Sequence, residues 1–540
     1  MIQPAQIPLA LTSVVPVEGA GLPTLTLASG WADQPRSWPQ ALHPMCTYLG
    51  SLPAAVAHDL IARWSRPGDV VIDPFCGRGT VPLQATLERR VGVGIDRNPL
   101  AHLLTAAVLD PPTARDALTR VEQLRIGWTS SRDDWRATAL AMAAGGSVAT
   151  FFHAETFAQL LMVRAALRRD DAIDTFLLAT IAGVLHGRRA AALTDAMPNT
   201  FSMAPGYAAR WLATRDAETG VGRPDRDLFA ILARRVRWLL RDGRPPVRGI
   251  GLAGDARAAG TLATAALRAR GLPERARLVV TSPPYLGVVR YGRANWLRLW
   301  LLGEDADHVD AQLDAPRTAA ASSALLGQVL ADLRPALADD AFVVFILGDV
   351  GSDRGRRLPQ AVDLAAAAWT SAAEPQGFRL AGVVRDVIDP SRKLTGLWGE
   401  RAGDATRADQ LLVIAPGELG VRRARGSASQ RMDAARTLGV MPGRPVTHRH
   451  ARRSQPRGDP LSSGPMQQMY HPDDLASMDP LVLMKNLDHT RMTARRLSYI
   501  LQQQVHLYLP EANELRMEID RYVEAERQIE TELARRSIRA

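Results

Sequence analysis

A doubly wound α/β sheet is the fold this 540-residue sequence predicts, on three observations. Short apolar runs of strand length, Val70–Ile72 and Val91–Ile95, alternate with segments of helical spacing. A glycine-bearing turn, DPFCGRGT at 73–80, carries the chain from the first run into a helix. After a long helical stretch the alternation resumes near Ile250 with five more runs, which makes seven strands.

Residues 1–40 are rich in proline and hold no sustained period, so they read as an N-terminal arm. Leu52 to Trp64 has helical spacing and is ended by Arg66-Pro67-Gly68. Val81 to Glu88 suits a helix after the first strand, with Pro82 near its start. Residues 101–248 show helical patterns at Phe151–Arg169, Ala172–Leu185 and Asp227–Leu240 and offer no strand. They are taken as a helical insertion in the sheet domain, placed by position for target recognition. Runs within it such as FAQLLMVRAAL and FLLATIAGVLHG read first as helix-bundle core, and His153 and His186 as capping or buried residues. MPNTFSMAPGY, at 197–207, has the polar and aromatic mixture of a substrate-facing loop.

The remaining strands are expected at Ile250–Ala253, Arg277–Thr281, Phe342–Leu347, Phe378–Val387 and Gln410–Ala415. No long helix separates the last two, which suits an antiparallel pair closing one edge. The sheet domain is therefore discontinuous, 41–100 and 249–417. Residues 421–457 carry ten arginines against one acid, Asp433. That stretch reads as a basic linker, 418–463, either a solvated tether or a source of phosphate contacts. A C-terminal helical region, 464–540, follows. Its heptad-like seam at Leu515, Ile519, Tyr522, Ile529 and Leu533 suits self-association or a protein partner.

Composition narrows the class. The apolar content of 46% and charged content of 23% are ordinary for a globular protein. The longest strongly apolar run, Phe176–Leu185, is about half of what a membrane span requires. No basic region precedes the apolar residues of the N-terminus, so a secretory signal is not expected, and a cytoplasmic enzyme fits. Cys46 and Cys76 are the only cysteines, which excludes a disulfide framework and a cysteine-based zinc site. The net charge of +10 points to a polyanionic partner. That signal is discounted, because Lys393 and Lys485 are the only lysines and an arginine-rich, alanine-rich composition also follows from a GC-rich genome.

Four motifs carry chemistry. In VVIDPFCGRGTVPLQA, Gly77 and Gly79 permit a tight turn at the carboxyl end of a strand, where open α/β sheets bind ligands. No lysine follows, so a phosphate loop of the ATPase type is disfavoured. A plain strand-to-helix turn accounts for a lone G-x-G equally well. In VGVGIDRNP, Asp96 ends the second strand at the spacing where an acid accepts hydrogen bonds from ribose hydroxyls. A helix N-cap is the competing account of Asp96. LAGDARAAG places Asp255 after a third strand, and VVTSPPYLG closes a fourth with two prolines, neither of which can donate to a ladder.

The ordered set DPFCGRGT, GID, GDA and TSPPY resembles the S-adenosylmethionine-dependent amino-methyltransferases of DNA, which make N4-methylcytosine or N6-methyladenine. HPMCTYLGSLPAAVAHDLI is similar to that family's leading cofactor motif, and RYGRANWLRLWLLG to the helix after its catalytic motif in some members. The resemblance covers about 43–100 and 249–417. It implies a class I methyltransferase fold, a Rossmann-like, mostly parallel seven-stranded sheet, here with a helical insertion and a C-terminal helical extension. It implies S-adenosyl-L-methionine held by Asp73, Phe75, Gly77, Gly79 and Thr80, with Asp96 on the ribose and Asp255 near the adenine. The catalytic group it implies is Ser282, Pro283, Pro284 and Tyr285, with double-stranded DNA as partner.

The chemistry of the reaction explains those residue types. An exocyclic amine on an aromatic base is a poor nucleophile, since its lone pair is delocalised into the ring, so the enzyme must align and localise it. Ser282 Oγ and the Pro283 carbonyl can accept hydrogen bonds from the amine, and Tyr285 can stack on a base turned out of the helix. Serine before Pro-Pro-Tyr tilts the substrate towards cytosine N4, with adenine N6 next, in a restriction-modification or phage-defence setting. The run Leu109-Asp110-Pro111-Pro112-Thr113 lacks the aromatic and is expected to be a boundary between helices. Two rivals stand beside this reading: an RNA methyltransferase of the tRNA guanine-N2 type, and a DNA-binding subunit of a defence complex.

Overall fold

The computed structural model describes residues 22–25, 40–144, 148–187, 191–197, 205–220, 222–284, 290–348, 361–387 and 408–423, with Glu524, Gln528 and Thr531. The chain divides into two compact units, 1–438 and 439–540. In the second unit the three described residues are helical, and the Gln528 amide donates to Glu524 at 3.4 Å. Most of the basic linker and the apolar seam lie outside the described residues.

In the first unit seven strands form one sheet in the order β3-β2-β1-β4-β5-β7-β6. They are β1 (Val70–Asp73), β2 (Val91–Asp96), β3 (Ile250–Ala253), β4 (Ala276–Thr281), β5 (Leu337–Gly348), β6 (Arg379–Val387) and β7 (Ala408–Ala415). β1 pairs in parallel with both β2 and β4, through Val71–Gly92 and Ile72–Val279, and β7 runs antiparallel between β5 and β6. This is the class I methyltransferase arrangement, and the antiparallel pair sits at the expected edge. The sheet is apolar on both sides because helices cover both. Val71, Leu278, Val280, Phe342 and Val344 face α1 (Ala54–Trp64) and α2 (Thr80–Leu87). Val70, Ile72, Val279, Val343 and Phe345 face the opposite layer, α9 (Ala259–Ala269) and α10 (Ala319–Leu333). The period of two along each strand thus sorts side chains into two cores. Trp64 is fully buried and stacks on Phe342 at 5.3 Å between ring centroids.

A third core belongs to helices. α3 (Pro99–Leu109), which the expected boundary at residue 101 assigned to the insertion, packs on β2 and β3: the backbone of Ala106 lies 2.9 Å from where Gly251 would carry a Cβ. Beyond it come α4 (Ala114–Ala144), α5 (Ala154–Ala166), α6 (Ala172–Val184), α7 (Pro205–Thr219) and α8 (Leu228–Leu239). Their starts are set by local caps, Asp171 accepting from Ile173 and Asp174 and Asp227 from Phe229 and Ala230. Arg120 ties α4 to α6 by donating to the buried Asp174 carboxylate at 2.8 Å. α4 bends at Ser131, whose hydroxyl donates back to the Gly127 carbonyl at 2.8 Å. His153 caps α5 and His186 is buried, and Asp110-Pro111-Pro112 joins α3 to α4. Residues 198–204 of the expected substrate-facing loop lie outside the described residues. No described helix is long and apolar enough to cross a membrane.

Candidate active site at the switch point of the sheet

The chain runs from β1 to β2 and β3 on one side and returns from β3 to β4 on the other side of β1, and this reversal opens a crevice at the carboxyl ends of these strands. An open cleft of about 890 Å³ lies there. It is lined by the loop after β1 (Asp73 to Arg78 and Thr80), by Asp96, Arg97 and Asn98 after β2, and by Asp255 and Ala256 after β3. Ser282 and Pro284 after β4 line the same cleft, while Pro283 is buried. Of the residues expected in the site, Tyr285 lies outside the described residues and Gly79 sits beneath the loop, off the cleft wall. The rest, apart from the buried Pro283, line the cleft together.

The loop after β1 is fixed from below. Gly77 and Gly79 have positive φ, 53° and 82°. A Cβ on Gly79 would lie 2.8 Å from the Thr105 hydroxyl of α3, and one on Gly77 would lie 3.3 Å from the ring of Tyr48. The close approach that these glycines permit is thus made by protein groups. Thr105 donates its hydroxyl to the Gly77 carbonyl at 3.0 Å and touches the buried Cys76 thiol at 3.3 Å.

Two carboxyls stand at neighbouring strand ends. Asp73 is buried and accepts from the Thr281 hydroxyl at 2.6 Å and the Phe75 N–H at 3.1 Å. Burial pushes its pKa up to about 7 against those hydrogen bonds. Asp96 accepts from the Gly77 N–H and the Asn98 N–H, each at 2.9 Å, and burial lifts it to about 6. Asp96 thus braces the glycine loop with one oxygen and the start of α3 with the other. The N-cap of α3 is Asn98 itself, whose side chain accepts from the Leu100 N–H.

Asp255 differs. Its Oδ1 accepts from the Arg257 N–H at 2.9 Å and its Oδ2 from the Arg257 guanidinium at 2.6 Å, and Oδ2 also forms an ion pair with Arg97 at 3.2 Å. Burial raises its pKa, but the hydrogen bonds and charge of Arg257, with the charge of Arg97, hold it below the ordinary value. Arg257 also binds Asp314, which lines the cleft beside Asp255, at 2.5 Å.

Several cleft residues escaped the sequence reading. Tyr48 and Tyr291 stack with centroids 5.7 Å apart and planes 17° from parallel, and Asn98 donates its amide to the Tyr48 hydroxyl at 3.1 Å. Both tyrosines stay protonated, because burial raises their pKa values. Each comes from a segment already noted, HPMCTYLG and RYGRANW, where its aromatic was the available signal. Asp314 has no comparable mark, since only the fold brings it to Arg257.

The residues present suit S-adenosylmethionine. An acid at the end of β2 lines the cleft with only backbone N–H partners among the described residues, and a paired aromatic wall stands beside the glycine loop. Residues 33–106 match a family model described as DNA methylase, of the N6/N4 methyltransferase type. Solved structures similar to the chain include TrmN from Thermus thermophilus and the rRNA methyltransferase aviRa from Streptomyces viridochromogenes. For TrmN the identity is 12% over 69% of this chain and 52% of that one, with a TM-score of 0.23. The chain therefore spans about half the length of TrmN. For aviRa the identity is 14% over 72% and 94%, with a TM-score of 0.24. Similarity this slight says nothing of substrate. No curated protein sequence matches the chain. The chain has a class I methyltransferase fold, and its residues 33–106 match the amino-methyltransferase family of DNA methylases at the cofactor end of the sheet.

Proposed function

We propose that the chain transfers a methyl group from S-adenosylmethionine to the exocyclic amine of a base in double-stranded DNA, cytosine N4 ahead of adenine N6. The observation that carries this reading is that Ser282 and Pro284 line the same cleft as Gly77 and Asp96, beside a segment matching DNA methylases.

Bound S-adenosylmethionine supplies the methyl group and, as a sulfonium, a good leaving group. The chain's own residues position the acceptor. The Thr281 hydroxyl donates a hydrogen bond to Asp73, which anchors the end of β4 to the end of the neighbouring β1. Ser282 Oγ and the Pro283 carbonyl then accept from the amine. The two prolines offer no N–H that would compete for the lone pair. Tyr285 stacks on the extruded base. Asp96 takes the ribose hydroxyls of the cofactor, and the Tyr48–Tyr291 pair walls the cleft beside it.

Tritiated methyl transfer to duplex DNA, with RNA as a second substrate and a Ser282→Ala/Tyr285→Ala double variant as control, tests this. Transfer to DNA that the double variant loses is the expected result. Transfer to RNA alone moves the function to an RNA methyltransferase. No transfer by the unaltered protein with cofactor bound removes catalysis and leaves a DNA-binding subunit. Sequencing modified bases in DNA from expressing cells assigns the base and tests a restriction-modification setting.

A further inference from the structure

Arg78 stands between the two loop glycines, and its half-buried side chain lines the cleft. Its hydrogen bond among the described residues is a long one, Nε to the Thr80 hydroxyl at 3.4 Å. No carboxylate pairs with it among the described residues. The other arginine of the cleft wall, Arg97, is different: it and the neighbouring Arg257 are both paired with Asp255 and Asp314. The buried Arg298, elsewhere in the fold, donates to the Ala182 carbonyl at 3.1 Å and to the Asn295 side chain at 2.8 Å. Arg78 is partly shielded from water, and burial pulls its pKa below the ordinary value. A cation so placed is costly to the fold unless something anionic meets it.

We propose that Arg78 receives the α-carboxylate of the methyl donor's amino-acid end and thereby selects a cofactor that carries one. This rests on the cofactor reading above. The planar guanidinium presents two parallel N–H donors that match a carboxylate, which a point charge does not. A carboxylate is favoured over a nucleic-acid phosphate because Arg78 rides on the glycine loop, which Asp96 braces through the Gly77 N–H, on the cofactor side of the cleft. Ser282 and Pro284, the acceptor side, come from a different strand end.

Calorimetric binding of S-adenosylmethionine and of its decarboxylated analogue, which lacks only the carboxylate, tests the assignment in the full chain. The unaltered protein should prefer the carboxylated ligand by roughly 10- to 100-fold, the range of a charge-assisted hydrogen-bonded pair. Arg78→Gln should lose that preference and keep its affinity for the decarboxylated analogue, and Arg78→Lys should recover part of it. Equal loss for both ligands in Arg78→Gln would mean that the residue only shapes the loop, and overturns the assignment. Unchanged preference with weaker binding of a DNA duplex would give Arg78 to a phosphate and overturns it equally. If the unaltered protein binds neither ligand, the cofactor reading falls first and this inference with it.

Discussion

Asp96 and Asp255 follow neighbouring strands of one sheet, line one cleft and look alike in sequence, each an acid behind a short apolar run. Their surroundings are opposite. Asp96 is held by backbone N–H groups, with burial lifting it to about 6, while Asp255 is neutralised by two guanidiniums and held below its ordinary value despite burial. A carboxylate met only by neutral dipoles keeps a field that a ligand hydroxyl can feel. One that already carries two cations has spent most of it. The same signal in sequence therefore yields a carboxylate met by backbone dipoles at one strand end and a wall strut bound by two cations at the next.

The largest expected effect follows from removing the first acid. Asp96→Ala should weaken S-adenosylmethionine binding by roughly 100-fold in calorimetry, since two hydroxyl partners lose a charged acceptor. A loss below about fivefold would erase the contrast with Asp255. The third acid of the cleft supplies a control on burial. Asp73, lifted from 3.8 to about 7, binds its proton more tightly folded than unfolded. The stability from that proton is complete below pH 3.8 and is lost as pH rises through about 7. The melting temperature of Asp73→Asn should therefore gain on the unaltered protein between pH 4 and pH 8, by on the order of 2 kcal/mol in stability. A gap that stays constant with pH would show that burial does not govern this carboxyl.

A smaller effect sharpens the same contrast. If the ribose hydroxyls donate to ionised Asp96, cofactor affinity should fall below pH 6 by up to about tenfold per pH unit. The profile of Asp96→Asn should be flat there. Smallest of all, Asp255→Asn should change cofactor affinity by less than about threefold and lower stability by about 1 kcal/mol, because partly exposed pairs are worth little. A larger affinity loss would give Asp255 a direct ligand contact and make the two acids alike.

The catalytic fold was legible because its signals are local. Strands β1, β2 and β4 are short apolar runs that need cover on both faces, and the glycine loop sits at a strand end where backbone sterics allow little else. The layer to which α3 belongs was not legible. Its composition, PLAHLLTAAVL, is apolar nearly all round, and such a helix suits a sheet or a bundle equally. Arg78 lies within the glycine motif, but the sequence carries no sign of its state, since which acids come near a guanidinium is decided by the fold.

By itself the sequence determined the seven strands, the antiparallel edge and the strand ends that hold Asp73, Asp96 and Ser282, because hydrophobic period, proline and glycine act within a few residues. Only the tertiary structure decided what each charge meets. Thr281 reaches Asp73 across 208 positions, Arg257 reaches Asp314 across 57, and Tyr48 comes to lie on Tyr291. Electrostatic environment is a property of distances through space, and the chain order does not contain them.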